Sequence, residues 1–174
     1  MAENKEQAFT DVVVDVKRVT KVTKGGKRFS FAAFVVSGNQ EGKIGIGLGK
    51  SKDVSSAIAK ATNRARKSLI TVALRGSTIP YPVTGTHGAS RVVLRSASKG
   101  TGVIAGGGVR FVMEAVGIKD VLTKSVGAPN RQNVVKATLN ALAKLRSAQH
   151  LARLRSTEAT RTSSAQAADA SVKN

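Results

Sequence analysis

Between Lys43 and Val54 the chain reads KIGIGLGKSKDV, with glycine at every second position, 45, 47 and 49. Side chains alternate across a strand, so a strand here has one face without side chains. Such a face lets another backbone come close, and that backbone is either protein or nucleic acid. Asp53 follows as a helix N-cap residue whose carboxylate can accept from free backbone N–H groups. Val54, Ala57, Ile58, Ala61, Ala65 and Leu69 then recur at helical spacing as one apolar stripe. Lys60, Asn63, Arg64 and Lys67 fall on the other side.

The same stretch imitates the phosphate-cradling loop of an ATPase. Gly49-Lys50-Ser51 fits the end of G-x-x-x-x-G-K-[ST], but the first glycine's place is held by Ile44, and Gly45 comes one residue late. The Asp53 carboxylate also takes the helix end where a phosphate would sit. Gly100-Thr101-Gly102-Val103-Ile104-Ala105, with Asp120 downstream, imitates a dinucleotide fingerprint. There the acid belongs at the end of the second strand, whereas Asp120 precedes Val121 at a strand start. Lys27 to Phe34, KRFSFAAF, partly matches an RNA-recognition-motif strand, but only 26 residues precede it, too few for the elements that fold requires. The face carrying Phe29, Phe31, Ala33 and Val35 is uniformly apolar and calls for a covering helix. His87 and His150 stand far apart, no hydrolase or metalloprotease motif occurs, and no catalytic residue, metal or cofactor is expected.

Around the glycine strand the chain organises itself as alternating segments. Val12, Val14 and Val16 alternate with polar neighbours, and Gly25-Gly26 joins that strand to RFSFAAFVV as a hairpin. Gly38 to Gly42 is a second turn, so the first unit reads strand, strand, strand, helix. Thr71 to Leu74 reads as a short strand. Gly76 to Pro82 breaks the pattern and marks a boundary. YPVTGTHG and SRVVLRSA are a second pair of strands, followed by a glycine-rich loop over 99–108. A short helix over 109–116, a strand over 121–126 and a strong helix over 133–147 complete the body. That last helix turns Val134, Val135, Thr138, Ala141, Leu142 and Leu145 inward. Residues 1–8 read as a flexible tail, and from Thr157 the Ala/Ser/Thr composition reads as disordered.

Charge decides the class of partner. The 174 residues hold 29 Lys and Arg against 10 Asp and Glu, a formal net charge of +19. Both halves of the body share it: residues 1–75 hold 15 bases and 6 acids, and residues 76–149 hold 10 and 2. This points to a polyanion, nucleic acid first and an anionic membrane second. Aromatic residues are only 3%, so base stacking is not expected to be the main mode of contact. There is no cysteine, no N-terminal apolar signal and no membrane-length apolar run, so a soluble protein that stays where it is made is expected. Lys17, Arg18, Lys21, Lys24, Lys27 and Arg28 crowd one Gly-Gly turn and repel one another unless phosphates neutralise them. Lys50 and Lys52 sit at a helix entrance, and Lys99 and Arg110 flank the second glycine loop.

KVTKGGKRFSF, GKIGIGLGKSKDVSSAIAKA, GTGVIAGGGVRFVMEAVGIKDVLTKSVG and NVVKATLNAL, in that order, resemble the bacterial type of ribosomal protein five of the small subunit, over residues 10–147. The resemblance implies an α+β protein of two small domains. Residues 9–75 would be a double-stranded-RNA-binding-like β-β-β-α unit. Residues 76–148 would be a βαβ-type two-layer domain with a left-handed crossover, and 149–174 a partly disordered extension. It implies a structural role in the small subunit, binding ribosomal RNA. Ribosomal proteins four and eight would be neighbours, the channel through which messenger RNA enters would lie nearby, and decoding accuracy would be affected.

Lys24, Gly25, Gly26, Lys27 and Arg28 match the family's hairpin loop, which enters RNA near the head hinge and the spectinomycin site. With Lys17, Arg18, Lys21, Lys50, Lys52, Lys60, Arg64 and Lys99 they form the expected RNA-binding set. Gly100, Thr101, Gly102, Gly106, Gly107 and Arg110 match the second-domain loop and helix start near the interface with protein four. Two segments depart from the family pattern. Ser37-Gly38-Asn39-Gln40-Glu41-Gly42 replaces a Gly-Asp-Gly-x-Gly turn, and Pro129-Asn130-Arg131 replaces an Asn-Pro before the last helix. The rival readings are a nucleotide-dependent enzyme and a free double-stranded-RNA-binding regulator.

Overall fold

A computed structural model describes residues 9–147 and 149–155. The expected loose segment 1–8 and the tail from Thr157 lie outside the described residues. The first sheet has the order β1-β2-β3-β4, with β1 Thr10–Thr23, β2 Gly26–Gly38, β3 Lys43–Ser51 and β4 Ile70–Thr71, all antiparallel. Helix α1, Val54–Lys67, lies between β3 and β4 in the chain. The second sheet has the order β5-β6-β8-β7, with β5 Val83–His87, β6 Ser90–Ser96, β7 Val103–Ile104 and β8 Val121–Gly127. Helix α2, Gly107–Val116, connects β7 to the parallel neighbour β8, and α3, Arg131–Ala143, follows. Both α+β units of the expected fold class are therefore present.

The register sorts the first sheet into two faces. Gly45, Gly47 and Gly49 lie opposite Ser37, Val35 and Ala33 and share their face, while Ile44, Ile46 and Leu48 share the other with Gly38, Val36 and Phe34. Helix α1 covers the glycine face. A Cβ on Gly45, Gly47 or Gly49 would collide with the carbonyl oxygens of Ala65, Ala61 and Ala57. Alternating glycine in the strand and alanine every fourth residue in the helix thus let two backbones close to contact, and the approaching backbone is protein. The other face meets the second unit. Val14, Phe34, Val36 and Ile44 join Val112, Met113, Val116, Val92, Val121 and Leu142 in one continuous core. With both faces covered, the sheet removes far more apolar surface from water than a one-sided sheet of this size could.

The junction is also hydrogen-bonded. Gln40 N donates to Ala115 O at 3.1 Å and Gly42 N to Val116 O at 3.0 Å. The β2–β3 turn therefore satisfies carbonyls at the end of α2 that the helix itself leaves unpaired. Asn39 shapes the turn, its Oδ1 accepting from Glu41 N and Lys43 N, both at 2.9 Å. The altered Ser37–Gly42 segment thus serves the seam between units. The segment 76–82 is woven into the second unit: Ile79 is fully buried, and Tyr81 Oη accepts from Arg146 N at 2.8 Å.

Several expectations are corrected. Asp53 stands at the N-cap of α1, but its side chain makes no capping bond. Helix α1 ends at Lys67, so Leu69 lies beyond it, and Val54 is exposed; the buried stripe is Ala57, Ala61 and Ala65. The strand expected over 71–74 is Ile70–Thr71. Helix α2 begins two residues early, at Gly107. Helix α3 runs 131–143, not 133–147; it starts early because Asn130 caps it, accepting from Gln132 N at 3.1 Å, and it ends at the C-cap Lys144. Leu145 lies past the helix end yet is buried.

Candidate nucleic-acid interface

Strand β2 pairs with β3 only from Phe31 onward, whereas its pairing with β1 runs on to Thr23 opposite Gly26. Val19–Thr23 and Gly26–Ser30 therefore project beyond the third strand as a two-stranded arm, roughly 17 Å long at strand rise. The run of Val and Thr in β1 favours the extended pairing. Lys24-Gly25 makes the tip; Gly26 has φ +123°, a value L side chains rarely adopt, and Thr23 Oγ1 donates to Gly26 O at 3.0 Å. No acidic residue occurs between Asp15 and Glu41. Among the described residues no carboxylate pairs with Arg18, Lys21, Lys24, Lys27 or Arg28.

Cross-strand neighbours share a face. Lys21 stands opposite Arg28, and Lys17 opposite Ala32, which is itself opposite Lys50. Arg28, Lys21, Lys17 and Lys50 thus form one basic track from arm to sheet. Lys17 is the one of them with a carboxylate beside it, Asp15 at 3.5 Å. The opposite side of the arm carries Lys27, Val22, Thr20, Phe29 and Arg18. Phe31, Ala33 and Val35 are covered by α1 as expected, but Phe29 lies past the helix and is exposed.

Other expected bases are placed differently. Lys52 is exposed just before α1. Arg64 donates to Leu48 O at 2.6 Å and Lys60 Nζ to Ser51 Oγ at 3.4 Å, so both also tie α1 to β3. Lys99, Gly100, Thr101, Gly102, Gly106, Gly107 and Arg110 belong to the β7–α2 region of the second unit, apart from the arm. The C-terminal end of α2 meets the first sheet at the β2–β3 turn, at the opposite end of β2 from the arm tip.

In that second loop the organising residue is Asp120, weighed in the sequence only as a ribose ligand. Its Oδ1 accepts from Gly100 N at 2.9 Å and Gly102 N at 3.1 Å, and its Oδ2 accepts from Ser77 Oγ at 2.6 Å. The Ser77 hydroxyl and then the Gly102, Gly100 and Thr101 amides hold its carboxyl below the ordinary value, against the opposing effect of burial. The signal available in the sequence was a rare acid, one of only two between residues 76 and 149. Amides that a pyrophosphate would use are thus occupied from within, and residues 103–104 of the would-be fingerprint form a strand. The ATPase-like Gly45–Ser51 is likewise a paired strand, not a loop. Arg110 pairs with Glu114 at 3.6 Å, while Gly106 and Gly107 open onto space at the uncapped start of α2.

Among the described residues, no helix is long and apolar enough to cross a membrane, and no cluster of three or more metal-ligating side chains occurs. Two family descriptions match the chain: "Ribosomal protein S5, N-terminal domain" over residues 9–73 and "Ribosomal protein S5, C-terminal domain" over residues 85–155. The chain belongs to the ribosomal protein S5 family. Relatives named small ribosomal subunit protein uS5 include one from Salinibacter ruber, 53% identical over 154 residues and 88% of each chain. One from Flavobacterium psychrophilum is 57% identical over 145 residues, 83% of each chain. A third, from Lawsonia intracellularis, is 49% identical over 153 residues, 88% of this chain and 94% of its own. The S5 family is structural and non-enzymatic, which agrees with a strand and a loop whose phosphate-like motifs are both used internally.

Proposed function

We propose that this chain is a structural constituent of the small subunit of the cytoplasmic ribosome and holds folded small-subunit ribosomal RNA through its arm. The acid-free, projecting hairpin with its exposed Lys24-Gly25-Gly26-Lys27-Arg28 tip carries this reading. Lys17, Arg18, Lys21, Lys50 and Lys52 extend the contact towards the sheet, with Lys60, Arg64 and Lys99 as outlying contacts. Each base set against a phosphate releases counterions, and double-helical RNA is recognised by shape and backbone rather than by base edges. Gly100, Thr101, Gly102, Gly106, Gly107 and Arg110 face ribosomal protein four, with protein eight as a second neighbour. The position lies near the messenger channel and bears on decoding accuracy. The domain division falls at 75/76, with residues 149–174 as an extension.

Replacing Lys24 and Lys27 together by Glu puts two negative charges at the tip. The double variant is expected to fold normally by circular dichroism and to be largely missing from small subunits separated by sedimentation. Near-normal incorporation would contradict the assignment of the arm.

A further inference from the structure

The two sides of the arm differ in chemistry. One carries the basic track that runs from Arg28 and Lys21 down to Lys17 and Lys50; the other holds Phe29 and Val22, 48% and 72% exposed, with Lys27 and Arg18 on the same face. Among the described phenylalanines only Phe29 is exposed, and no described element covers it. The Arg18 guanidinium carbon lies 4.7 Å from the centre of the Phe29 ring, from the diagonal position on the neighbouring strand. That contact fixes the ring's orientation and brings a positive charge beside it.

A phosphate is the wrong partner for this ring, because a phenyl face is electron-rich and offers no donor. A planar nucleobase is the right one, since stacking needs only a flat apolar face. Bases inside a helix are already stacked, so the base must be unpaired. We infer that Phe29, held by Arg18, packs against an unpaired nucleobase while the opposite side of the arm lies along phosphates. This rests on the RNA-binding reading above and adds to it one contact that is not electrostatic. The arm is thereby a wedge with a basic track on one side and, on the other, a base-stacking ring flanked by Arg18 and Lys27.

The chain has no tryptophan, so Phe29→Trp installs a single reporter at the site. Titrating this full-length variant with purified small-subunit ribosomal RNA is expected to quench its emission saturably and shield it from acrylamide. Phe29→Leu, which keeps an apolar side chain but loses the ring, is expected to weaken binding about tenfold. That loss should be equal at every salt concentration, leaving the slope of log affinity against log salt unchanged, because stacking releases no counterions. Unchanged emission from Phe29→Trp with RNA bound, or wild-type affinity in Phe29→Leu, would overturn the inference. Wild-type chain that fails to bind the RNA at all would instead overturn the RNA-binding reading beneath it.

Discussion

At Gly45, Gly47 and Gly49 an added Cβ would strike the carbonyl oxygens of α1, whereas at Gly25 and Gly26 it would meet nothing within 4 Å. In the linear sequence both clusters lie among lysines and both suggest a backbone laid against phosphate. In the fold they part. The β3 glycines are closed, alternating at the strand period against alanines spaced at the helix period, and they set the distance between two backbones of the same chain. The arm glycines are open and shape a turn. The difference lies in spacing: glycine at every second residue thins one face, and adjacent glycines make a bend. Gly100 and Gly102 are a third case, open to solvent and at positive φ, yet with their amides tied to Asp120.

The largest effect is expected where the closed set is filled. Gly47→Ala places a methyl against Ala61 O and must push α1 off the sheet, a loss of about 3 kcal/mol or more in urea denaturation. A shift of under about 1 kcal/mol would break the comparison by showing that the helix yields freely. Asp120→Asn comes next. Because its carboxyl is held below the ordinary value in the folded chain, its contribution is present above about pH 4, the unfolded-chain range, and fades as pH falls through the lower folded value. Denaturation curves of wild type and variant should therefore differ at neutral pH and draw together in acid; a pH-independent gap would contradict this. Gly25→Ala is expected to be the mildest, within about 0.5 kcal/mol of wild type, because its φ is ordinary and its surroundings are empty.

The hairpin, α1 and most of α3 were legible because Val12 to Val16 alternate and Ala57, Ala61 and Ala65 repeat at helical spacing, local patterns that tertiary packing only reinforces. The two-residue strand β7 carries no period to detect. The tie between Gln40, Gly42 and the end of α2 joins residues more than 70 positions apart through backbone groups, which leave no mark on side-chain composition. The basic character of the arm was likewise readable from Lys17 to Arg28. The grouping of Arg28, Lys21, Lys17 and Lys50 into one track, with Phe29 beside Lys27 and Arg18 on the other side, depends on cross-strand register, and the projection of the arm depends on where β3 stops. The ties of Lys60 and Arg64 to β3 were not legible because their acceptors, Ser51 and the Leu48 carbonyl, lie on another element.

The most direct test of the arm as the electrostatic contact is the salt dependence of binding to purified small-subunit ribosomal RNA. Wild type should be compared with Lys24→Gln, Lys27→Gln and Arg28→Gln combined. Removing three phosphate contacts should flatten the slope of log affinity against log salt by about 2 to 3. A slope identical to wild type would mean that the RNA is held somewhere other than the arm.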